Sequence, residues 1–499
     1  MSSGFDPELL DSLSQVVSDR SGLRFGVDRR NDLERGVRAA ARELGFSDPV
    51  QCAASLVCSP PTSAQVRILA SHLTIGETYF FREKASFQLL EERILPELIE
   101  MRRGGSQRIR IWSAGCCTGE EPYSVAISLA RLLPDPTGWD IAILGTDIND
   151  NFLQKAREAV YGEWSFRETP RAIVEQFFTS APAGRRRLLP HLRRHCTFAP
   201  LNLAEDSYPS LLNGTAGIDL ILCRNVMIYF DQERAATLGR NLSHCLTEGG
   251  WLLLGAAEGS QVHCEDLVPA EAPGTMAFRK RRATAAPCVE SPLPMFAAPA
   301  PAFSAMKALP EPVAAQASLP PPTTEEAAPP QTPLVTATAS FEQRLYADVI
   351  AGLLPLCTAG DGDSRSLELL SRAYANQGDR PQALEWCEKA ISVDKVNPRL
   401  HYLRAAILQE RGEAAEATAS FRRAIYLDDQ FVMAHVGAGH LALRLGRPRE
   451  AERYLARARE LLSKFGADQT VPESEGLDAK HLAELIAARW NEGIPYEHG

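Results

Sequence analysis

A chain of 499 residues exceeds what one hydrophobic core organises, so roughly two to four domains are expected. Its formal net charge of -10 argues against nucleic acid as the principal partner, and its eleven cysteines, scattered without a C-x-x-C pair, exclude a zinc site or a disulfide scaffold and imply a reduced, cytoplasmic protein. The opening MSSGFDPELLDSLSQVV has no basic run followed by an apolar one, and nowhere do about eighteen uncharged apolar residues follow one another, so neither secretion nor membrane insertion is expected.

Residues 1–90 read as a helical domain. Leu9, Leu10, Leu13, Val16 and Val17 recur at helical spacing until Gly22 breaks the pattern. In DRRNDLERGVRAAARELGF, Arg35, Arg38 and Arg42 share one face of a helix, while Leu33, Val37 and Leu44 lie elsewhere around the cylinder. This stripe reads either as a solvated face, partly offset by Glu34 and Glu43, or as a dock for an acidic partner. The domain ends in SHLTIGETYFFREKASF, where Thr78, Tyr79, Phe80, Phe81 and Arg82 crowd together. Aromatics beside an arginine are often a packing seam. An arginine set by such packing also makes a carboxylate clamp, because its planar fork donates two parallel bonds.

Residues 91–282 alternate between strands and helices. Strands are expected at 108–115, 139–147, 218–225 and 250–257, and helices at 122–133, 151–159 and 232–246. Strands so apolar imply a parallel sheet covered on both faces, an α/β fold of Rossmann type.

In such a sheet the ligand sits at the carboxyl ends of the strands. The first strand ends in SAGCCTGEE, where Gly115 and Gly119 let the backbone approach a ligand and Glu121 directs a carboxylate into the crevice. The second ends in GTDIN, placing Asp147 where an acid commonly holds a ribose diol. FAPLNL supplies Asn202 and Leu203, and the fourth ending is CRNVMIYFD. G-x-G-x-x-G is absent, and two acids directly after the last glycine of the loop would repel a pyrophosphate. They suit a cofactor that carries amine and sulfonium cations, S-adenosylmethionine. No metal site is expected.

Taken together, TYFFRE at 78–83, WSAGCCTGEEPYS at 112–124, TDIN at 146–149, NL at 202–203 and CRNVMIYFD at 223–231 make residues 1–281 similar to the CheR-type chemoreceptor glutamate methyltransferases. By position, the resemblance implies cofactor contacts from Gly76, Thr78, Arg82, Glu121, Asp147, Asn202, Leu203, Arg224 and Asn225. It makes Arg82 an anchoring residue and places Tyr229 near the transferred methyl, the two catalytic candidates. Gly76 departs from relatives that often carry asparagine in the pocket, so Glu77 or a water would have to supply that contact; Gly115 and Cys116 replace alanine or serine. Cofactor affinity is the property these changes bear on.

The implied reaction moves a methyl group in line from sulfonium to the side-chain carboxylate of a receptor glutamate. Such a carboxylate, with a pKa of about 4.3, is already ionised at neutral pH and needs no general base. Family substrates are long helices, against which Arg35, Arg38 and Arg42 would lie. The resemblance also implies a small antiparallel insertion at about 161–198, around GRRRLLPHLRRH. In some relatives this subdomain grips a receptor's tether peptide. It is shorter here, which implies a tether-independent enzyme.

Residues 283–338 shift to Ala, Pro, Ser and Thr and read as an extended, disordered linker. Residues 339–465 carry a period of 34, with Gly378, Gly412 and Gly446, Ala383, Ala417 and Ala451, and Ala390, Ala424 and Ala458 in register, and this resembles the tetratricopeptide (TPR) pattern. Helices are expected to flank the array at Phe341–Leu354, stopped by Pro355, and at Leu477–Trp490 within a final segment, 466–499. The stacked surface is expected to bind a protein segment. The expectation is thus a receptor-glutamate methyltransferase with a partner-binding repeat domain. Its rivals are a catalytically inactive adaptor that keeps the fold, and a methyltransferase for a non-receptor signalling protein.

Overall fold

The apolar runs in the middle of the chain form a seven-stranded sheet in the order β6-β2-β1-β7-β8-β10-β9. Its strands are β1 (Arg108–Ala114), β2 (Asp140–Asp147), β6 (Cys196–Pro200), β7 (Ile218–Cys223), β8 (Leu246–Leu254), β9 (Leu267–Ala270) and β10 (Met276–Lys280); β3 (Val160–Tyr161), β4 (Phe178–Ser180) and β5 (Arg186–Leu188) form a separate antiparallel sheet in the insertion. The computed structural model describes residues 5–282 and 333–486, apart from 106, 206, 211–212, 260–263, 344, 361, 467–468, 475–477, 481 and 484–485.

Strands β6, β2, β1, β7 and β8 run parallel, as their apolar, two-sided burial requires, and β10 and β9 add an antiparallel edge that the sequence reading did not anticipate. Along β1 the side chains alternate between two cores. Ile109 and Ile111 join one with Val125, Ile127 and Leu129, whereas Trp112 and Ala114 join the other with Tyr208, Leu238 and Leu242. Chain order reverses between β1 and β7, which opens a crevice beyond their carboxyl ends.

The N-terminal module packs the helices Pro7–Ser21, Arg30–Ala40, Pro49–Cys58 and Ser63–Leu73 around Leu13, Leu33, Val37 and Leu56. Asp6, Asp48 and Thr62 cap three of these helices, and Gly22 closes the first with φ 73°. The expected arginine stripe needs correcting. The second helix ends at Ala40, so Arg42 lies in the turn beyond it, while Arg35 pairs with Asp32 at 2.7 Å and Arg38 with Glu34 at 2.7 Å. Glu43 lies 3.4 Å from the His72 ring, and among the described residues it pairs with none of the three.

Three helix pairs follow the period of 34: Ser364–Gln377 with Arg380–Val393, Pro398–Glu410 with Ala414–Leu427, and Val432–Arg444 with Pro448–Leu462. All six register alanines are fully buried between helices. The linker expected at 283–338 lies outside the described residues up to 332, and from 333 the chain is already helical, over Pro333–Glu342. A second departure is the helix Tyr346–Ala359, which runs through Pro355 instead of stopping there. Burial of Val349, Leu353 and Cys357, one apolar stripe against the first repeat, outweighs the backbone bond that the proline forfeits. Of the expected helix at 477–490, residues 479–480, 482–483 and 486 are helical and the others, Asp478 apart, lie outside the described residues. Among the described residues no helix is long and apolar enough to cross a membrane.

The repeats dock on the seven-stranded sheet through the turns inside the helix pairs. Glu410, at the end of the second pair's first helix, is buried against Arg110 and Arg108 at the start of β1. Arg444, one repeat later at the same position, meets Asp140 at the start of β2 at 3.4 Å, and Asp140 is also 3.2 Å from Arg108.

Candidate active site

The crevice between β1 and β7 is lined by Thr78, Arg82, Glu121, Asp147, Asn202, Leu203, Arg224, Asn225 and Tyr229, every sequence-derived cofactor and catalytic residue except Gly76. These residues come from the N-terminal module's exit segment and from four strand ends, so only the assembled fold brings them together.

The turn after β1 is built for close approach. Gly115 has φ 79°, and a Cβ there would sit 2.4 Å from Val226 of the facing loop. The amides of Gly115 and Cys116 donate to the Thr146 carbonyl at 2.8 and 2.9 Å, and Cys117 N–H donates to Asp147 Oδ2 at 2.9 Å. Asp147 also takes Asn149 N–H at 2.9 Å, yet burial dominates and raises its pKa to about 6. Burial and the neighbouring carboxylates push the Cys117 thiol up to about 12, and Cys116 well above its ordinary value, so neither serves as a nucleophile at neutral pH.

Of the two acids opening the next helix, only Glu121 faces the crevice. Glu120 is 2% exposed and accepts from Thr118 Oγ1 at 2.6 Å and Ser165 Oγ at 2.9 Å, locking the turn to the insertion; burial raises its pKa against those bonds. Glu121 accepts from Ser113 Oγ at 2.8 Å and from Arg224 Nη1 at 2.9 Å.

Arg224, which lines the crevice, also has a structural task. Its side chain is 1% exposed and bound to Glu121, to Glu83 at 3.1 Å and to the Arg82 carbonyl at 2.6 Å. It therefore holds the loop that presents Arg82, with its charge balanced by two carboxylates. Burial would raise the Glu83 carboxyl, but Arg224 holds it below its ordinary value. Phe81 and Glu83 flank Arg82 with φ 59° and 61°, left-handed values that non-glycine residues hold only under constraint. The packing seam read from TYFFRE is present, since Phe80 stacks on Phe166 and meets Tyr161 and Phe178 edge-on, and Arg82 lines the crevice and bonds the Glu77 carbonyl.

Asn202 is likewise occupied. Its amide nitrogen donates to the Arg20 carbonyl at 2.7 Å and to Glu205 at 3.2 Å, stitching the N-terminal module to the loop after β6. Leu203 packs against the core and its carbonyl accepts the Tyr208 hydroxyl at 2.8 Å. Gly76 stays small because a Cβ would lie 2.7 Å from the Phe152 ring, which lines the crevice in its place. Glu77 lines the crevice too, and its carboxylate is paired with Arg167. Tyr229, on a turn at Met227–Tyr229, is half-buried against the N-terminal module, and no protein group bonds its hydroxyl among the described residues.

Sequence reasoning missed Glu258. Fully buried, it accepts backbone N–H bonds from Asn225 at 2.8 Å, Val226 at 2.7 Å and Gly255 at 2.8 Å, and so fixes the left-handed Asn225 and the loop carrying Tyr229. Arg29, just upstream of the arginine stripe, also lines the crevice and was not singled out.

The donor set fits a cationic nucleoside cofactor. Glu121 and Asp147 present carboxylates to the crevice, and the most buried guanidinium, that of Arg224, is already neutralised.

Residues 76–271 match the family model described as CheR methyltransferase, SAM binding domain, and residues 364–397 match a tetratricopeptide repeat. The chain is 37% identical over 206 residues, 41% of its own length and 75% of the relative's, to a probable chemotaxis protein methyltransferase of Rhizobium etli. It is 32% identical to the chemotaxis protein methyltransferase of Escherichia coli, over 49% of this chain and 82% of that one. Over 91% of its length it is 27% identical to the whole of a probable biofilm formation methyltransferase, WspC, of Pseudomonas aeruginosa.

Proposed function

Because this chain belongs to the CheR family of S-adenosylmethionine-dependent methyltransferases, we propose that it transfers the cofactor's methyl group to glutamate side-chain carboxylates of chemotaxis-type receptors, forming methyl esters. The observation that carries this reading is the convergence of Glu121, Asp147, Arg82 and Tyr229 on one crevice at the switch point of the sheet.

In this reading Asp147 holds the ribose hydroxyls and Glu121 faces the cationic end of the cofactor. The bound cofactor supplies an electrophilic methyl on a sulfonium. The chain's own residues need only orient and desolvate, since the acceptor carboxylate is already ionised and opposite charges cancel along the reaction. Arg82, braced from behind by Arg224, has a planar fork suited to the acceptor carboxylate, and the uncommitted Tyr229 hydroxyl positions the reacting atoms. The repeats bind a second protein, and Arg35, Arg38 and Arg42 dock the receptor helix.

The test is incubation with radiolabelled S-adenosylmethionine and membranes from the native organism. Labelled methanol released by base from receptor-sized bands supports ester formation. Label confined to soluble proteins refutes the receptor assignment, and absence of cofactor binding by calorimetry refutes enzymatic function in favour of an adaptor.

A further inference from the structure

Gln469–Ser474 lie beyond the third repeat in sequence, yet they contact the first. Glu473 is bound to Arg372 of the helix Ser364–Gln377 and lies 3.4 Å from Arg399 at the start of Pro398–Glu410. These are the first helices of successive pairs, so the segment lies across the junction of two stacked repeats, an arrangement that builds extended binding surfaces. Glu473 is only 13% exposed at its side chain and has φ 60°, a left-handed conformation that two arginine contacts hold in place. Beside it, Val471 is 1% exposed and belongs to the apolar cluster of Tyr402, Phe431 and Val432. Thr470 bridges Asp478, which reaches across to Arg67 of the N-terminal module at 3.3 Å.

A short segment with one carboxylate in an arginine pair and one aliphatic side chain in an adjoining apolar patch is how a groove holds a peptide. We propose that residues 469–474 are a ligand of the repeat groove supplied in cis. A protein partner would then enter by presenting the same chemistry, an acidic side chain next to an aliphatic one in an extended segment, and displace Glu473. Displacement also loosens the Asp478 contact with Arg67, so occupancy of the groove is communicated to the N-terminal module. This rests on the reading of the repeats as a protein-binding surface and is independent of the methyltransferase assignment.

The test uses the full chain and a fluorescein-labelled synthetic peptide with the sequence of residues 465–480. In E473A, amide exchange at 469–474 rises, and the peptide binds at least roughly tenfold tighter than to the wild type, whose groove is already filled. The chain with both R372A and R399A releases its own segment but does not take the peptide. A peptide carrying alanine in place of Glu473 binds E473A no better than the unaltered peptide binds the wild type, an arm that changes nothing in the protein's fold. Circular dichroism and cofactor calorimetry stay at wild-type values in every variant. Equal peptide affinity for wild type and E473A refutes cis occupancy but leaves the repeats as a binding surface. No binding to E473A, with its segment released, refutes both.

Discussion

Replacing Glu410 by alanine removes the carboxylate at the centre of the contact between the repeats and the catalytic sheet. Glu410 is 8% exposed at its side chain, and Arg110 and Arg108 are 9% and 13% exposed, so solvent does little to screen the loss. Burial alone would raise the Glu410 carboxyl, but Arg110, Arg108 and Arg380 hold it below its ordinary value, and burial lowers Arg110 in turn. Leaving a buried charge without its partner costs about 3–5 kcal/mol. The lower end applies, because Arg108 keeps Asp140 at 3.2 Å and Arg110 keeps the Gly214 carbonyl at 2.9 Å. About 3 kcal/mol shifts the docked equilibrium roughly 10²-fold towards undocked repeats. Small-angle scattering should record an expanded chain, and hydrogen exchange should show faster opening at the start of β1. The depressed carboxyl fixes the pH dependence: its contribution is complete above the unfolded-state pKa and is lost as pH falls through the lower folded-state value. An E410A chain with wild-type dimensions and wild-type exchange in β1 would falsify the assignment of docking to this cluster.

Asp147 behaves in the opposite sense. With its pKa raised to about 6, mainly by burial, it favours the fold below its unfolded-state pKa and loses that contribution as pH rises through 6, whereas the role proposed for it in cofactor binding needs the ionised form. Calorimetry should therefore show affinity falling about tenfold from pH 7 to pH 5, a slope absent in D147N. Y229F removes only an uncommitted hydroxyl, so kcat should fall by roughly 10²-fold with cofactor affinity intact; equal loss of both would make Tyr229 a binding residue instead. Alanine at Arg35, Arg38 and Arg42 should slow receptor methylation without changing cofactor affinity, and most of the effect should come from Arg42, whose charge no acid neutralises among the described residues.

The sheet and its crevice were legible because their signals are local. The alternating RIRIW and the continuous LILC both stop at small or polar residues, and the stops are the site. What escaped were relations between distant positions. Nothing around Glu258 marks it as the acceptor for a loop about thirty residues earlier, and nothing beside Glu120 marks it as the tie between the turn and the insertion. The strands β9 and β10 are too short and mixed to show a period. The end of the helix at Ala40 carries no proline or glycine stop, which is why Arg42 was placed on its face. The docking pairs at Glu410 and Glu473 depend on how rigid units meet, which composition and spacing do not encode.

Strand β1 is held at both ends: Ala114 leads into the cofactor turn, and Arg108 and Arg110 grip the repeats. Seven extended residues span about 23 Å, a single stiff element shared by two binding events. Any difference in cofactor affinity between docked and undocked repeats must reappear, by reciprocity, as an equal difference in docking between loaded and empty enzyme. The repeat domain would in that case act as a gauge of the methyl-donor supply as well as a handle for a partner.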